Sequence, residues 1–550
     1  MVRARVAEQL VWGVPFAFLA FMLGVPLLSV AGAALFSRGN LDFSTLTSVL
    51  SDTYFLKVAQ LTVVQALWST LASVALGLVW AFVLVRYTFP FKRTLRSLTI
   101  VPFVLPAVSL ALGFVIVFGQ QGLLNRTLMA AFRLSQPPLH LLYSLQAIVL
   151  AHAFYNAPIV ARLTHAAWER LDPSYEQSAR ALGANALRAF LSVTLRLLSP
   201  AVFTGAALAF VYSFLSFPIV LTLGGARFAT LEVAIYTESI TLRHLDTGAA
   251  LALVQLVLSL GFTYGYLWLE RRFAQRLETT QARKTVPLFV PGWRPLRWTL
   301  WALLAVGGLF FLSPLLGVVV DSLRAPNGAW TTAWYGKIFA PDFNAFIGSS
   351  PLASVGNSLV FALGTTGLSL LLGVPLAWGI VKRDLGWLNP LAMLPLAVSS
   401  VALGFGLLRA FSSPPLVWLD RGVAVVLAHA LLALPFVVRA LVPVLRGLDP
   451  GLSEAARGLG ASRAQALFQV ELPLLRTALL AGAAFAFAIS IGEMSATLML
   501  AKPGLATMPV AVYHFLGARL FGAASAMSVL LIVFTGLAFV WIERAGERVI

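Results

Sequence analysis

A chain of 550 residues that is 59% hydrophobic and only 11% charged cannot cover a soluble surface of its own size. A soluble domain carries about 25% charged residues, and the mean hydropathy of +0.88 points to lipid as the solvent. The absence of cysteine excludes disulfides, thiolate metal sites and cysteine nucleophiles. A formal net charge of +18 would suit a nucleic-acid partner, but the basic residues are scattered between apolar runs, so membrane topology accounts for them better.

The first apolar run, Leu10–Phe36, is longer than the roughly 7–15 residues of a signal-peptide core. It is long enough for a spanning helix, which needs about 20. Eleven more runs follow, at 58–85, 98–119, 143–167, 197–223, 247–270, 298–320, 355–381, 389–408, 423–445, 474–500 and 521–542. Their lengths predict helices, because strands of a membrane barrel would appear as alternating segments of about 10 residues. With the N-terminus, Arg3 and Arg5 in the cytoplasm, about 27 Lys and Arg fall in inside segments and 12 in outside ones. The inside groups include Arg86, Lys92, Arg93 and Arg96, then Arg271, Arg272, Arg276, Arg283 and Lys284. Basic residues collect on the cytoplasmic side, so both termini are expected there. Residues 271–297 read as a polar, basic linker between a first repeat, 1–270, and a second, 298–550.

The halves repeat one another. Leu150–Tyr236 lies on Leu427–Tyr513 at a constant offset of 277 without a gap, and about 34 of the 87 positions are identical. Repeats recognised early decide the fold reading. Six spans in each half insert both copies the same way up, related by an axis along the membrane normal. The repeat is fainter upstream: Leu76-Gly77 and Arg86 resemble Leu372-Gly373 and Lys382, and Leu110–Phe114 resembles Val401–Phe405. The first and seventh spans share little.

The best-matched polar stretch lies between the fourth and fifth spans of each half. Asp449 is a good N-cap, Pro450 suits the first helical position, and Gly460 can take the left-handed conformation that ends a helix. Asp172, Pro173 and Gly183 repeat the pattern. Short helices are therefore expected at about 172–183 and 449–460. Their alanines allow another protein's surface to approach, Leu182 and Leu459 offer an apolar knob, and Arg180 and Arg457 offer a charge.

Glu454-Ala455-Ala456, then Gly460, then Leu472-Pro473 resembles the Glu-Ala-Ala loop of ABC-importer permeases. In that family the loop forms a coupling helix that docks in a groove of the cytoplasmic ATPase. The second loop, about 449–473, fits closely. The first, about 172–196, departs: Gln177 stands at the Glu position, Ser178 at the first Ala and Arg196 at the Pro, while Glu176 is one residue out of register. The stretches Ser216–Gly225 and Thr230–Tyr236 resemble thiamine and fused iron permeases, and Ser490–Met499 resembles a segment of iron, molybdate and sulfate permeases. The resemblance covers the whole chain. It implies an all-α polytopic protein of about 12 transmembrane helices, built as two parallel six-helix repeats in the bacterial inner membrane.

That resemblance further implies a permease of a binding-protein-dependent importer, moving a small solute inward by alternating access. The segments identify the class rather than the substrate, and the expected solute is ferric iron first and thiamine next. The implied partners are a homodimer of the cytoplasmic ATPase and an extracytoplasmic solute-binding protein, with no nucleic acid and no cofactor. The implied coupling residues are Gln177, Ala179, Arg180, Leu182 and Gly183, and Glu454, Ala455, Ala456, Arg457, Leu459 and Gly460.

Several polar residues fall inside apolar spans. Glu493 is either a pathway or gating residue or a structural hydrogen-bonding group, since intramembrane acids face a cavity or a partner; its counterpart is Ser216. His152 and His429 are matched and read as helix-packing residues, since no carboxylates or tyrosines cluster beside them to build a metal site. Pro158 and Pro435 are matched too, and suit kinks. No catalytic residue is expected: the only Gly-Lys, Gly336-Lys337, precedes Ile338 and makes no phosphate-binding loop. The alternatives are an ion-coupled secondary transporter, which would usually carry more buried acids, or a membrane scaffold with no transport pathway.

Overall fold

The computed structural model describes residues 2–37, 39–90, 92, 105–273, 286–287, 295–340, 348–412, 414, 416–418, 421–500 and 502–547. The basic residues Arg93, Arg96, Arg276, Arg283 and Lys284, the start of the third expected span and most of the linker lie outside them.

The chain is all-α and polytopic. Its principal helices are α1 (Val2–Leu35), α2 (Thr53–Arg86), α3 (Ala107–Phe118), α4 (Leu145–Glu169), α5 (Pro173–Ala181), α6 (Leu195–Phe214), α7 (Leu245–Phe273), α8 (Pro295–Ser322), α9 (Pro351–Lys382), α10 (Ser400–Ala410), α11 (Arg421–Gly447), α12 (Pro450–Gly458), α13 (Arg476–Gly492), α14 (Ser495–Leu500) and α15 (Phe521–Glu547). A helix satisfies its own backbone, which is what lipid demands. Side chains start several of them: Asp52 accepts from the amide of Tyr54 at 2.7 Å, and Ser350 and Ser399 accept from the amides of Ala353 and Ala402 at 3.1 and 3.0 Å.

Ten helices among the described residues are long and apolar enough to cross a membrane, or twelve when two bent pairs are each taken as one span. Three of the expected boundaries need correction. The span expected at 389–408 is broken, Leu388–Ala397 and α10 meeting at 95°. Pro395 sits in a single 3-10 turn there, and Ser399 starts a new helix. The span expected at 474–500 ends at Gly492, and a separate short helix, α14, follows. The one expected at 197–223 stops at Phe214, and Pro218 opens the next short helix. Pro158 and Pro435 both sit inside helices that continue past them.

By contact, the chain forms two compact units. One holds Met1–Val49, Ile235–Leu256 and Asp321–Ile550, and the other Leu50–Ala234 and Val257–Val320. This partition differs from the division by repeat: α1 belongs with the later half, and most of α8 with the earlier half. Inside the first unit α9 packs on α11 and α13, and α1 runs along α10 and α9. Leu19 and Met22 of α1 are buried in the same apolar core as Leu376, Leu403 and Leu431. Inside the second unit α2, α4 and α6 pack together. There Phe311 of α8 stacks on Trp80 of α2 with ring centroids 4.3 Å apart.

One close approach occurs in both units. A Cβ on Gly406 of α10 would lie 2.6 Å from the carbonyl oxygen of Pro26 in α1. A Cβ on Gly113 of α3 would lie 2.6 Å from the carbonyl oxygen of Pro314 in α8. The first and seventh spans thus make a like contact despite their dissimilar sequences, through Gly406 rather than Gly404, the glycine that the sequence resemblance matches to Gly113.

Two capped loop helices and a polar cluster

The short helices α5 and α12 are built alike. Asp172 accepts from the amide of Ser174 at 2.8 Å, and Asp449 from that of Gly451 at 2.9 Å. Pro173 and Pro450 follow at the first helical position, where no amide partner is lost. At the other end Gly183 and Gly460 have φ of +90° and +94°. The amide of Gly183 donates to Arg180 O at 3.0 Å and that of Ala184 to Ala179 O at 3.1 Å. Gly460 and Ala461 donate to Arg457 O and Ala456 O at the same two distances. These paired bonds close off the last free carbonyls of a helix.

The ends of these helices are left bare. Leu182 and Leu459 are 90% and 91% exposed. Gln177, Arg180, Gly183, Glu454, Ala455, Arg457 and Gly460 are exposed as well, whereas Ala179 and Ala456 are half-buried. Each capped helix thus holds a bare leucine beside an exposed arginine.

Sequence reasoning missed two buried acids at the bases of these helices. Glu176, noted only as out of register, is buried and ion-paired through both oxygens with Arg86 at the end of α2. Glu471 is also buried; it accepts from Ser453 Oγ at 2.6 Å and from Trp378 Nε1 at 3.3 Å. The signal in the sequence was faint: Arg86 and Lys382 close matched spans next to these loops.

Glu493 stands in the break between α13 and α14. Its Oε1 accepts the amide of Ala496 at 2.9 Å, and its Oε2 accepts the amide and hydroxyl of Thr497 at 3.0 and 3.1 Å. It thereby caps α14, an acid at a helix N-terminus being favourably placed. His429 Nε2 lies 3.3 Å from the same Oε2 and 2.8 Å from Thr497 Oγ1, while Nδ1 is 2.8 Å from Ser490 Oγ. Ser490 in turn donates to Thr365 Oγ1 at 3.1 Å. Ser216 occupies the equivalent break, with its amide on Ser213 O at 3.4 Å. In that half His152 Nδ1 pairs with Ser69 Oγ at 3.0 Å, and Asn156 Nδ2 donates to Ser213 Oγ at 3.0 Å. Among the described residues, no three His, Cys, Asp or Glu side chains stand close enough to hold a metal ion.

This geometry predicts that Glu493→Ala lowers stability by about 1–3 kcal/mol, the cost of stranding buried hydrogen-bonding groups, read as a fall in melting temperature of the purified protein. An unchanged melting temperature with transport abolished would instead make Glu493 a pathway residue.

A duplicated membrane chain that bares two capped helices beside its spans has the build of a transport component. The chain belongs to the family of binding-protein-dependent transport system inner membrane components, whose profile matches it twice, over residues 73–275 and 346–549. It is similar along its length to the thiamine transport system permease protein of Escherichia coli (strain K12), with 29% identity over 530 residues and 91% of each chain covered. The corresponding protein of Brucella suis biovar 1 (strain 1330) is 27% identical over 563 residues, covering 98% of this chain and 95% of the relative. A putative ferric transport system permease protein of Haemophilus influenzae (strain ATCC 51907 / DSM 11121 / KW20 / Rd) is 25% identical over 489 residues, covering 87% and 76%.

Proposed function

We propose that this chain is the permease of an importer that carries thiamine into the cell, powered by a separate ATPase. The observation that carries the reading is the pair of matched helices α5 and α12, each capped, stopped by a left-handed glycine and tipped by a bare leucine. In this reading a homodimer of cytoplasmic ABC ATPase grips both helices, and a solute-binding protein delivers the solute from outside. Both termini then face the cytoplasm. The residues in contact with the ATPase are Gln177, Ala179, Arg180, Leu182 and Gly183 in one groove, and Glu454, Ala455, Ala456, Arg457, Leu459 and Gly460 in the other. Nucleotide closes the ATPase pair and moves the helices, because a partner shifts an equilibrium only by binding its two states differently.

In this reading thiamine comes ahead of ferric iron, the reverse of the order expected from the sequence. Two thiamine permeases align over at least 91% of this chain, whereas the ferric relative aligns over 87% at lower identity. The test is reconstitution of the chain in proteoliposomes with its co-purifying ATPase and binding protein. ATP-dependent accumulation of thiamine is expected. Accumulation of ferric iron without thiamine would restore the other order. Absence of any co-purifying ATPase would favour an ion-coupled transporter or a scaffold.

A further inference from the structure

The two halves anchor the base of the exposed helix with the same kinds of side chain, but they place the acid differently. In the first half the acid is on the exposed helix: Glu176 of α5 pairs with Arg86, the last residue of α2. In the second half the position 277 residues on from Glu176 is Ser453, and the acid is Glu471, in the π-helical turn Leu467–Glu471 that leaves the loop. Ser453 donates to Glu471, and Lys382, the last residue of α9, has its Nζ 3.9 Å from the same Oε1. The first half has the same π-helical turn at the same offset, Phe190–Thr194, so the counterpart of Glu471 is Thr194. Its hydroxyl is buried, with no hydrogen-bond partner among the described residues.

Among the described residues each half therefore shows a cation at the end of a matched span, a buried acid and a hydroxyl, buried at Thr194 and half-buried at Ser453, with acid and hydroxyl exchanged between two positions. A buried carboxylate is costly unless a cation and donors surround it. An acid beside its cation is offset, and a second acid brought to the same place would repel the first.

We propose that Glu176 and Glu471 are positioning residues that fix the exposed helix of each half to its neighbouring span, and that the two acid positions are interchangeable. The two attachments then differ in stiffness. In the first half the ion pair acts on the exposed helix itself. In the second the ion pair joins α9 to the outgoing turn, and the exposed helix is held through the Ser453 hydroxyl. The consequence for transport rests on the docking reading above; the anchoring is a property of this chain alone.

The test is amide hydrogen exchange on the full chain in lipid nanodiscs without ATPase, read on segments 173–184 and 450–461. Glu176→Ser is expected to speed exchange in 173–184 by about tenfold or more, the factor carried by a lost charged hydrogen bond, with 145–169 unchanged. Adding Thr194→Glu to that variant should restore wild-type protection, and adding Thr194→Val should not. The mirror chain, Ser453→Glu with Glu471→Thr, should protect 450–461 as wild type does, whereas Glu471→Thr alone should not. Unchanged exchange in Glu176→Ser, or doubly substituted chains as fast as the single variants, would overturn the proposal. Should Glu176→Ser fail to fold, recovery of folded protein on adding Thr194→Glu supports the exchange of positions, and no recovery overturns it. Protection that follows this pattern while no ATPase binds even the wild-type chain would uphold the anchoring and overturn the docking reading.

Discussion

Gly460→Leu should leave the protein in the membrane but reduce ATP-driven transport by more than about tenfold. The backbone of Gly460 sits at φ +94°, a region that side chains with a Cβ rarely adopt. Among the described residues, its chain neighbours apart, nothing lies within 4 Å of a Cβ built there, so the cost is conformational rather than a clash. Leaving that conformation costs the bonds from Gly460 to Arg457 O and from Ala461 to Ala456 O. The end of α12 then unwinds, and Leu459 no longer projects from a fixed place. Gly183→Leu should act in the same way on α5, where φ is +90°. Gly460→Asn should retain most of the rate, since asparagine tolerates the left-handed region. The measurement is solute-stimulated ATP hydrolysis and retention of the ATPase on the purified chain. Wild-type values in both leucine variants would remove the docking role of these helices.

Gly406→Leu should reduce the yield of folded protein more than any loop substitution. Even the first carbon of the new side chain would fall 2.6 Å from the carbonyl oxygen of Pro26 and 2.8 Å from its Cβ. Both are held by the framework of α1, so the two helices must separate. Overpacking a tight interior typically costs about 1–3 kcal/mol and occasionally more. Here the separation also exposes Leu19 and Met22, which are buried in the core of that unit. Gly113→Leu meets Pro314 O at 2.6 Å and should behave alike in the other unit. Thermal unfolding and size-exclusion profiles in detergent would read the effect. A melting temperature equal to wild type in both variants would show that these contacts relax without cost.

What could be read from the sequence follows the physics of each element. The loop helices were legible because their caps are local: Asp172, Pro173 and Gly183 specify start and stop within a dozen residues. The long spans were legible because lipid demands length and apolarity. The breaks at 215–217 and 493–494 were hidden, because apolar residues continue through them and only Pro218 and Glu493 mark the change. The partnership of α1 with α10 was hidden for a different reason. It depends on one proline and one glycine far apart in the chain, and a repeat search weighs neither. The buried acids escaped because a charge on a loop is ordinarily solvated; only Arg86 and Lys382 at matched span ends betray that Glu176 and Glu471 are not.

The pairing of α1 with Gly406 has a consequence for biosynthesis. About 380 residues separate Pro26 from that glycine. At roughly 5–20 residues per second, α1 waits on the order of 20–80 s in the bilayer before its partner is made. It must therefore survive alone among lipids, and its run from Leu10 to Phe36 carries no charged residue. Gly113 and Pro314 are about 200 residues apart, so that pair waits roughly half as long, on the order of 10–40 s. The ribosome thus completes the contact of the seventh span before that of the first, and the unit that holds the N-terminus is the last to close.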